Sequence, residues 1–156
     1  MVQSIVKILH AFGSKLIIEN NGKIVQVPND SGRQNVRAKI ALEGRDIFEW
    51  DVIIEKTCTY AWVGICATEN FNYEIFAGDQ PTGWVLGSNG SCANSSKGID
   101  YCPSFGDGAR ITVHLDMNKR TCAFTVNGKK YPEVSAWNNL PSKLYPVVSL
   151  RYPGCF

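Results

Sequence analysis

The sequence lacks the patterns that would point to a membrane, a nucleic acid or a zinc ion. No apolar run approaches the ~20 residues of a membrane-spanning helix, which argues against a membrane partner. No Lys/Arg run exceeds two residues and the formal net charge is only +2, so the basic patch of a nucleic-acid binder is missing. No Cys-x-x-Cys pair and no glycine-rich phosphate loop occurs, so we predict neither a metal nor another cofactor.

The 156 residues contain enough apolar sequence for one folded domain. Apolar residues make up 44% and charged residues 19%, a balance that supports a packed core and argues against disorder. We predict a main domain over residues 15–156, preceded by an N-terminal extension over residues 1–14. The start of the chain has no basic segment and is interrupted by Lys7 and His10, unlike a secretory signal. We therefore expect a cytoplasmic protein, with secretion as the alternative.

The six cysteines are expected to be reduced thiols. Cys66 and Cys122 fall on the apolar faces of predicted strands, where a free cysteine packs as a small hydrophobic residue. Cys92 and Cys102 flank a loop and could form a disulfide in an oxidising compartment. The sequence leaves that pairing open.

Alternation of apolar and polar residues with period two runs through most of the chain. In residues 110–116 (RITVHLD) every second residue is apolar, and residues 121–129 repeat the pattern. The Asn127-Gly128 pair is typical of a hairpin turn. Further strands are predicted at residues 15–18, 23–27, 36–42, 48–55, 60–67, 84–86 and 144–150. Residues 28–35 are predicted as a polar loop, and residues 87–108 as mostly loop with one strand near 99–101. Short strands separated by turns predict a β-sandwich.

Five ordered motifs resemble the SPRY domain family. In chain order they are FEWDV at residues 48–52, WVGI at 62–65, VHLDM at 113–117, FTVNG at 124–128 and LYPVVSL at 144–150. The resemblance extends from Leu16 to the C-terminus. It implies an all-β fold, namely a two-sheet antiparallel β-sandwich of the concanavalin-like jelly-roll type.

The N-terminal segment, residues 2–12, has two possible structures. Family members usually add one further strand after the LYPVVSL-type motif, and this chain stops shortly after it. One alternative is a strand that takes the vacant edge position, since an open apolar edge invites aggregation. The other is a short helix, because Ile5, Ile8, Leu9 and Phe12 have helical spacing.

The resemblance implies binding rather than catalysis. Proteins of this family are non-catalytic modules that hold a short peptide or a folded protein, and many act as adaptors or recruit substrates to ubiquitin ligases. Carried over by position, the binding segments lie at residues 28–35, at Thr59, around residues 82–85 and after the LYPVVSL motif. Together with a loop aromatic, the candidate partner-binding residues are Asn29, Asp30, Arg33, Thr59, Tyr73, Thr82, Trp84, Val85, Arg151 and Tyr152.

Several of these residues have an ordinary structural interpretation as well. Trp84 is expected to lie in the core or in the pocket, and Tyr152 in the pocket or in local packing. Arg33 and Arg151 could be solvated charges, although Arg151 replaces a small apolar residue of some members and would favour an acidic peptide. Among the loop aromatics at residues 71, 73 and 76, at least one is expected to pack under the loop while another stays exposed.

Two other functions remain as alternatives. A carbohydrate-binding sandwich would use a loop aromatic with Asn and Asp side chains, and the candidates are Asn70, Asn72, Asp79 and Trp84. A glycoside hydrolase would need two carboxylates facing each other across a cleft, and the candidates are Glu49, Asp51 and Glu55. These three share one strand face with no acidic element predicted opposite. His114 is expected on the solvent-facing side of a hairpin strand.

Overall fold

The computed structural model of the chain describes residues 2–4, 9–12, 17–19, 24–27, 33–55, 60–67, 70–151 and 154–155. Their regular secondary structure is β-strand apart from one 3-10 turn, η1 (Ala77–Asp79). The strands are β1 (Val2–Ser4), β2 (Leu9–Phe12), β3 (Ile17–Glu19), β4 (Ile24–Val27), β5 (Arg33–Ala38), β6 (Leu42–Glu43), β7 (Ile47–Ile53), β8 (Tyr60–Cys66), β9 (Gly83–Gly87), β10 (Ser91–Asn94), β11 (Lys97–Asp100), β12 (Arg110–Asp116), β13 (Thr121–Val126), β14 (Lys129–Lys130), β15 (Lys143–Arg151) and β16 (Gly154–Cys155). In the described ranges no helix is both long and apolar enough to cross a membrane.

Two large sheets form a sandwich. The five-stranded sheet has the order β1-β7-β12-β13-β14, and the eight-stranded sheet has the order β11-β10-β9-β8-β15-β5-β2 with β6 paired to β15. A small third sheet has the order β16-β4-β3. In the β12–β13 hairpin, Asp116 pairs with Thr121 beside the turn and Ile111 pairs with Val126 at the far end. The predicted two-sheet antiparallel β-sandwich is confirmed.

The main core lies between the two sheets. Along β12, Ile111, Val113 and Leu115 are 0% exposed, while the polar residues between them reach the surface. From the eight-stranded sheet, Val63 and Ile65 are likewise 0% exposed and belong to the same cluster. Period-two alternation therefore places one face of each strand in the core, as the sequence predicted.

The N-terminal segment forms strands where the structure describes it. β1 pairs in parallel with β7, Val2 opposite Ile47, and β2 pairs with β5, Leu9 opposite Ala38. The described residues are strands and not a helix, and they form two edge strands, one on each sheet, instead of the single edge strand that was the alternative. Each of the two sheets offers an edge with unpaired backbone groups, and pairing those groups outweighs a short local helical pattern.

Two segments predicted as loop are strands. Residues 33–35 begin β5, and Gln34 and Asn35 are 3% and 0% exposed despite their polarity. β10 was missed because its hairpin to β11 turns through Ser95 and Ser96, both at positive φ, instead of an Asn-Gly pair. Burial of polar side chains and an unusual turn sequence are both invisible to a pattern based on apolar spacing.

Candidate partner-binding surface

Three strand ends that carry predicted binding residues meet at one end of the eight-stranded sheet. Arg151, the last residue of β15, lies opposite Arg33 on one side and opposite Tyr60 on the other. The predicted segments adjoin these positions, because residues 28–32 lead into Arg33, Thr59 precedes Tyr60 and Tyr152 follows Arg151. Asn29, Asp30, Thr59 and Tyr152 themselves lie outside the described residues. We call the positions of Arg33, Tyr60 and Arg151 the Arg151 end.

The remaining predicted segment lies at the opposite end of the sheet. The carbonyl of Thr82 accepts a hydrogen bond of 2.9 Å from the Ala67 backbone N–H, and Gly83 pairs with Cys66. The six residue steps of β8 from Tyr60 to Cys66 correspond to about 20 Å. The structure therefore separates Thr82 and its neighbours from the Arg151 end.

Trp84 and Val85 contribute to packing. Val85 is 0% exposed and packs in a cluster on the outer face of the eight-stranded sheet, which corrects its assignment as a partner contact. Trp84 is partly buried against the main core, in line with its expected core position. Trp137 is 4% exposed in the same core.

A loop packs across the outer face of the eight-stranded sheet and forms a second core. Phe71 and Phe76 are 8% and 9% exposed, and the Phe76 ring lies 4.5 Å from that of Trp62. Tyr73 is half-buried beside them, its ring 5.0 Å from Phe71. The prediction that at least one loop aromatic packs inward is confirmed, whereas the aromatic expected to stay exposed is half-buried, namely Tyr73. We call residues 70–82 the cover loop.

Two buried amides hold the cover loop in place, Asn35 from the sheet and Gln80 from within the loop. Asn35 Nδ2 donates to the carbonyls of Asn72 (3.3 Å), Tyr73 (3.1 Å) and Ile75, and the Asn35 backbone N–H donates to Tyr73 at 3.0 Å. Gln80 Nε2 donates to Asn72 and Ile75, each at 2.9 Å, and its Oε1 accepts from the Asn72 N–H at 2.7 Å. A long connection that would otherwise be mobile is thereby held in one arrangement.

Tyr73 extends from the cover loop to a cationic residue of β5. The Arg37 guanidinium lies over the Tyr145 ring, 3.9 Å from its centroid, and is close enough to Tyr73 to act on its hydroxyl electrostatically. Burial raises the pKa of the Tyr73 hydroxyl, and the nearby Arg37 charge opposes that rise. Tyr73 therefore remains neutral at physiological pH and is available as a hydrogen-bonding group at the margin of the loop.

Two of the three acidic residues considered for hydrolysis, Glu49 and Asp51, contact β12 across the five-stranded sheet. Glu49 Oε1 lies 2.8 Å from His114 Nδ1, whose Nε2 lies 2.6 Å from Thr125 Oγ1. Asp51 accepts from Arg110 at 2.6 Å and from Thr112. Glu49 and Asp51 therefore project from one strand on one sheet face and do not face each other across a cleft.

The polar groups considered for carbohydrate binding are engaged within the cover loop and its neighbours. Asn72 Oδ1 accepts from the Glu74 N–H at 2.9 Å, and Asp79 Oδ1 accepts from Ser96 Oγ at 3.2 Å. The Trp84 side chain packs toward the main core. Within the described residues, no group of three or more His, Cys, Asp or Glu side chains could hold a metal ion.

Four cysteines are free thiols in the described part of the chain, namely Cys66, Cys92, Cys102 and Cys122. Burial raises the pKa of Cys66 to about 12 and raises the pKa of Cys92 and Cys122 as well. Cys102 is only partly buried, and its thiol pKa is also raised by burial. Since the thiolate is the reactive form, the three buried cysteines are chemically protected.

In the variant Cys58→Ser/Cys155→Ser, four cysteines remain, namely Cys66, Cys92, Cys102 and Cys122. We predict that one of these thiols is labelled quickly and the other three slowly. A thiol-disulfide reagent at about pH 8 should modify Cys102 first, because reaction requires both a thiolate and access. The measurement is the time course of labelling, with peptide mapping to assign the site. Denaturant should release all four thiols together. Simultaneous labelling of Cys92 or Cys122 with Cys102 in the native protein would contradict the described burial.

The geometry defines the chain as a two-sheet antiparallel β-sandwich domain. Solved structures with the same fold include SPRY domains. The SPRY domain of human HERC1 matches with a TM-score of 0.76 and 21% identity, covering 92% of this chain and 93% of that chain. A human SPRY domain matches with a TM-score of 0.73 and 17% identity over 94% of this chain and 95% of that one. Stonustoxin matches with a TM-score of 0.75 and 18% identity over 97% of this chain and 26% of the toxin chain.

Sequence comparison then identifies the family. The SPRY domain family model matches residues 47–156. The Drosophila melanogaster Ran-binding proteins 9/10 homolog is 31% identical over 108 residues, 69% of this chain and 11% of that protein. Human Ran-binding protein 9 is 29% identical over 130 residues, 82% of this chain and 16% of that protein. The chain spans less than a fifth of the length of these relatives. It belongs to the SPRY domain family, whose members are generally non-catalytic protein-interaction modules.

Proposed function

We propose that the chain binds a peptide segment of a protein partner at the Arg151 end, in an adaptor or substrate-recognition role and without catalysis of its own. The observation that carries this proposal is the strand register that brings Arg33, Tyr60 and Arg151 to neighbouring positions. Family membership supplies the general role of protein interaction. Recruitment of substrates to a ubiquitin ligase is one form of that role.

Several features support a peptide as the ligand. Binding residues on loops work best when a rigid scaffold presents them, and the two cores and the fixed cover loop supply that rigidity. Two arginine positions at the Arg151 end favour a segment with carboxylate groups, since guanidinium pairs bidentately with carboxylate. The proposal places the protein in the cytoplasm, where its thiols would stay reduced.

We predict that the double substitution Arg151→Ala/Tyr152→Ala weakens partner binding by ~2 kcal/mol or more, as arginine and tyrosine anchors do in interfaces. The melting temperature should stay near that of the wild type, because Arg151 is the last residue of β15. The measurement is affinity capture from native lysate with both forms of the chain, compared by quantitative mass spectrometry. The proteins lost with the double variant are then tested by titration with purified partner.

Arg110→Ala provides the charge-matched control. Arg110 is an exposed arginine of the five-stranded sheet that pairs with Asp51 at 2.6 Å, so its removal should leave captured proteins unchanged. Identical capture by the wild type and the double variant would contradict the proposed site. Unfolding of the double variant would show instead that these residues belong to the core.

A further inference from the structure

A second polar surface lies between two turns at the other end of β15. Gly44 and Arg45 follow β6, residues 117–120 connect β12 to β13, and Ser142 precedes β15. Together they line an open hollow of about 580 Å³, whose lining residues are Gly44, Arg45, Met117, Asn118, Arg120 and Ser142. The eight residue steps of β15 correspond to about 26 Å, so this hollow is distinct from the Arg151 end.

The hollow carries positive charge that the described residues do not neutralise. Arg45 and Arg120 are both exposed, and neither forms an ion pair within the part of the chain that the structure describes. The neighbouring Lys119 is already paired with Glu133 at 2.9 Å. Two guanidinium groups in one hollow, neither with an ion-pair partner among the described residues, favour an anion as the ligand.

The acidic groups next to the hollow are engaged elsewhere. Asp116 Oδ1 accepts from the backbone N–H groups of Asn118 (2.9 Å) and Lys119 (3.0 Å), which shapes the β12–β13 turn. Asp46 is half-buried and makes interactions of its own, and its carbonyl accepts from the Met117 N–H at 3.1 Å. The backbone hydrogen bond from Met117 to Asp46 joins the two turns, and the Asp116 contacts fix the β12–β13 turn, so together they set the shape of the hollow.

Arg120 occupies a backbone conformation that favours another residue. Its φ is +56°, in the left-handed region, where glycine or asparagine is the usual choice. Its carbonyl also accepts from the Leu140 N–H at 3.3 Å, which helps to hold this conformation. This hydrogen bond fixes the backbone from which the Arg120 side chain reaches the lining of the hollow.

We propose that this hollow binds a phosphorylated serine or threonine of a protein partner. A phosphorylated side chain carries about −1.5 to −2 charges and three acceptor oxygens, which matches two guanidinium groups better than a single carboxylate does. Arg45 and Arg120 supply the paired donors. The Asn118 amide and the Ser142 hydroxyl are the further donors in the lining.

The test is a titration of isotope-labelled chain, followed by NMR, with a capped Gly-phosphoserine-Gly peptide and with its unphosphorylated and glutamate forms. The phosphopeptide should shift the amide signals of residues 44–46 and 117–121 with saturation. The unphosphorylated form should shift none of them, and the glutamate form should bind at least about tenfold more weakly, since a hydrogen bond to a charged group accounts for an order of magnitude. Equal binding of the glutamate form would overturn the assignment to phosphate.

Substitutions separate binding from folding. Arg120→Gly should weaken phosphopeptide binding at least about tenfold while the melting temperature stays equal or rises, because glycine relieves the left-handed strain. Arg45→Gln should weaken binding similarly. Lys97→Ala, which removes an exposed cation of β11 outside the hollow, should have no effect. Unchanged binding by a folded Arg120→Gly protein, or no shift with the wild type, would overturn the proposal.

Discussion

Replacing Gly64 with valine is expected to destabilise the domain by more than ~4 kcal/mol, a size that few single substitutions reach. Gly64 lies in β8 at the middle of the eight-stranded sheet, between Val147 of β15 and Val85 of β9. A Cβ at this position would lie 2.0 Å from the Trp84 carbonyl oxygen and 2.9 Å from the Val85 Cα. Both are backbone atoms, so no side-chain rotation relieves the clash and β9 must move away from β8.

Gly98→Val is the matched control for this effect. Gly98 lies in the exposed edge strand β11 of the same sheet, and a Cβ there would find only the Cys92 carbonyl oxygen, at 3.9 Å. The free energy of unfolding of each variant is measured by urea denaturation. The value for Gly64→Val should be lower than that for Gly98→Val by most of the loss predicted for Gly64→Val. Similar stabilities for the two variants would contradict the close approach of β9 to β8.

Replacing Asn35 with aspartate is expected to cost ~3 kcal/mol or more and to release the cover loop. The Asn35 amide is 0% exposed and donates to three loop carbonyls. A carboxylate cannot donate to these carbonyls and would place a buried negative charge among their oxygens. Amide hydrogen exchange of residues 70–80 should therefore increase more than exchange in the β12–β13 hairpin.

The loss of stability caused by Asn35→Asp should become larger as the pH rises. Burial raises the pKa of the introduced carboxyl above its unfolded value of about 3.9. The native state therefore prefers the protonated form, and stability falls as the pH rises through the range between the unfolded and folded pKa values. Asn89→Asp is the control, because Asn89 is exposed and uses its Oδ1 only as an acceptor for the Ser91 N–H, at 3.0 Å. A loss at Asn35→Asp no larger than at Asn89→Asp would contradict the role of the buried amide.

Strands with one buried face could be predicted closely from the sequence. The alternation over residues 110–116 reproduces β12 residue for residue, because each odd position there is 0% exposed. The order of the framework motifs also predicted the sandwich. By contrast, β5 begins with polar residues that are buried by hydrogen bonds to a distant loop, and such partners leave no local signal.

The candidate site could be predicted only in part. Sequence placed Arg33 and Arg151 in one site, and the strand register makes them neighbours. It also grouped Thr82 with them, but antiparallel pairing of β8 and β9 places Thr82 at the far end. Arg45 and Arg120 lie far apart in the chain and meet only because two turns adjoin in space. Which residues of distant segments become neighbours depends on how the strands pair and the turns pack, and the periodicity of the sequence does not encode this.

The central claim is that a protein partner contacts the Arg151 end. The most direct measurement maps a captured partner peptide onto isotope-labelled chain by NMR, following the amide signals of every strand during a titration. The account predicts that the largest shifts fall at residues 33–35, 60–61 and 149–151, and that Arg151→Ala/Tyr152→Ala removes them. Shifts confined to the five-stranded sheet, at residues 47–53 and 110–116, would contradict it and would move the binding surface to the opposite sheet.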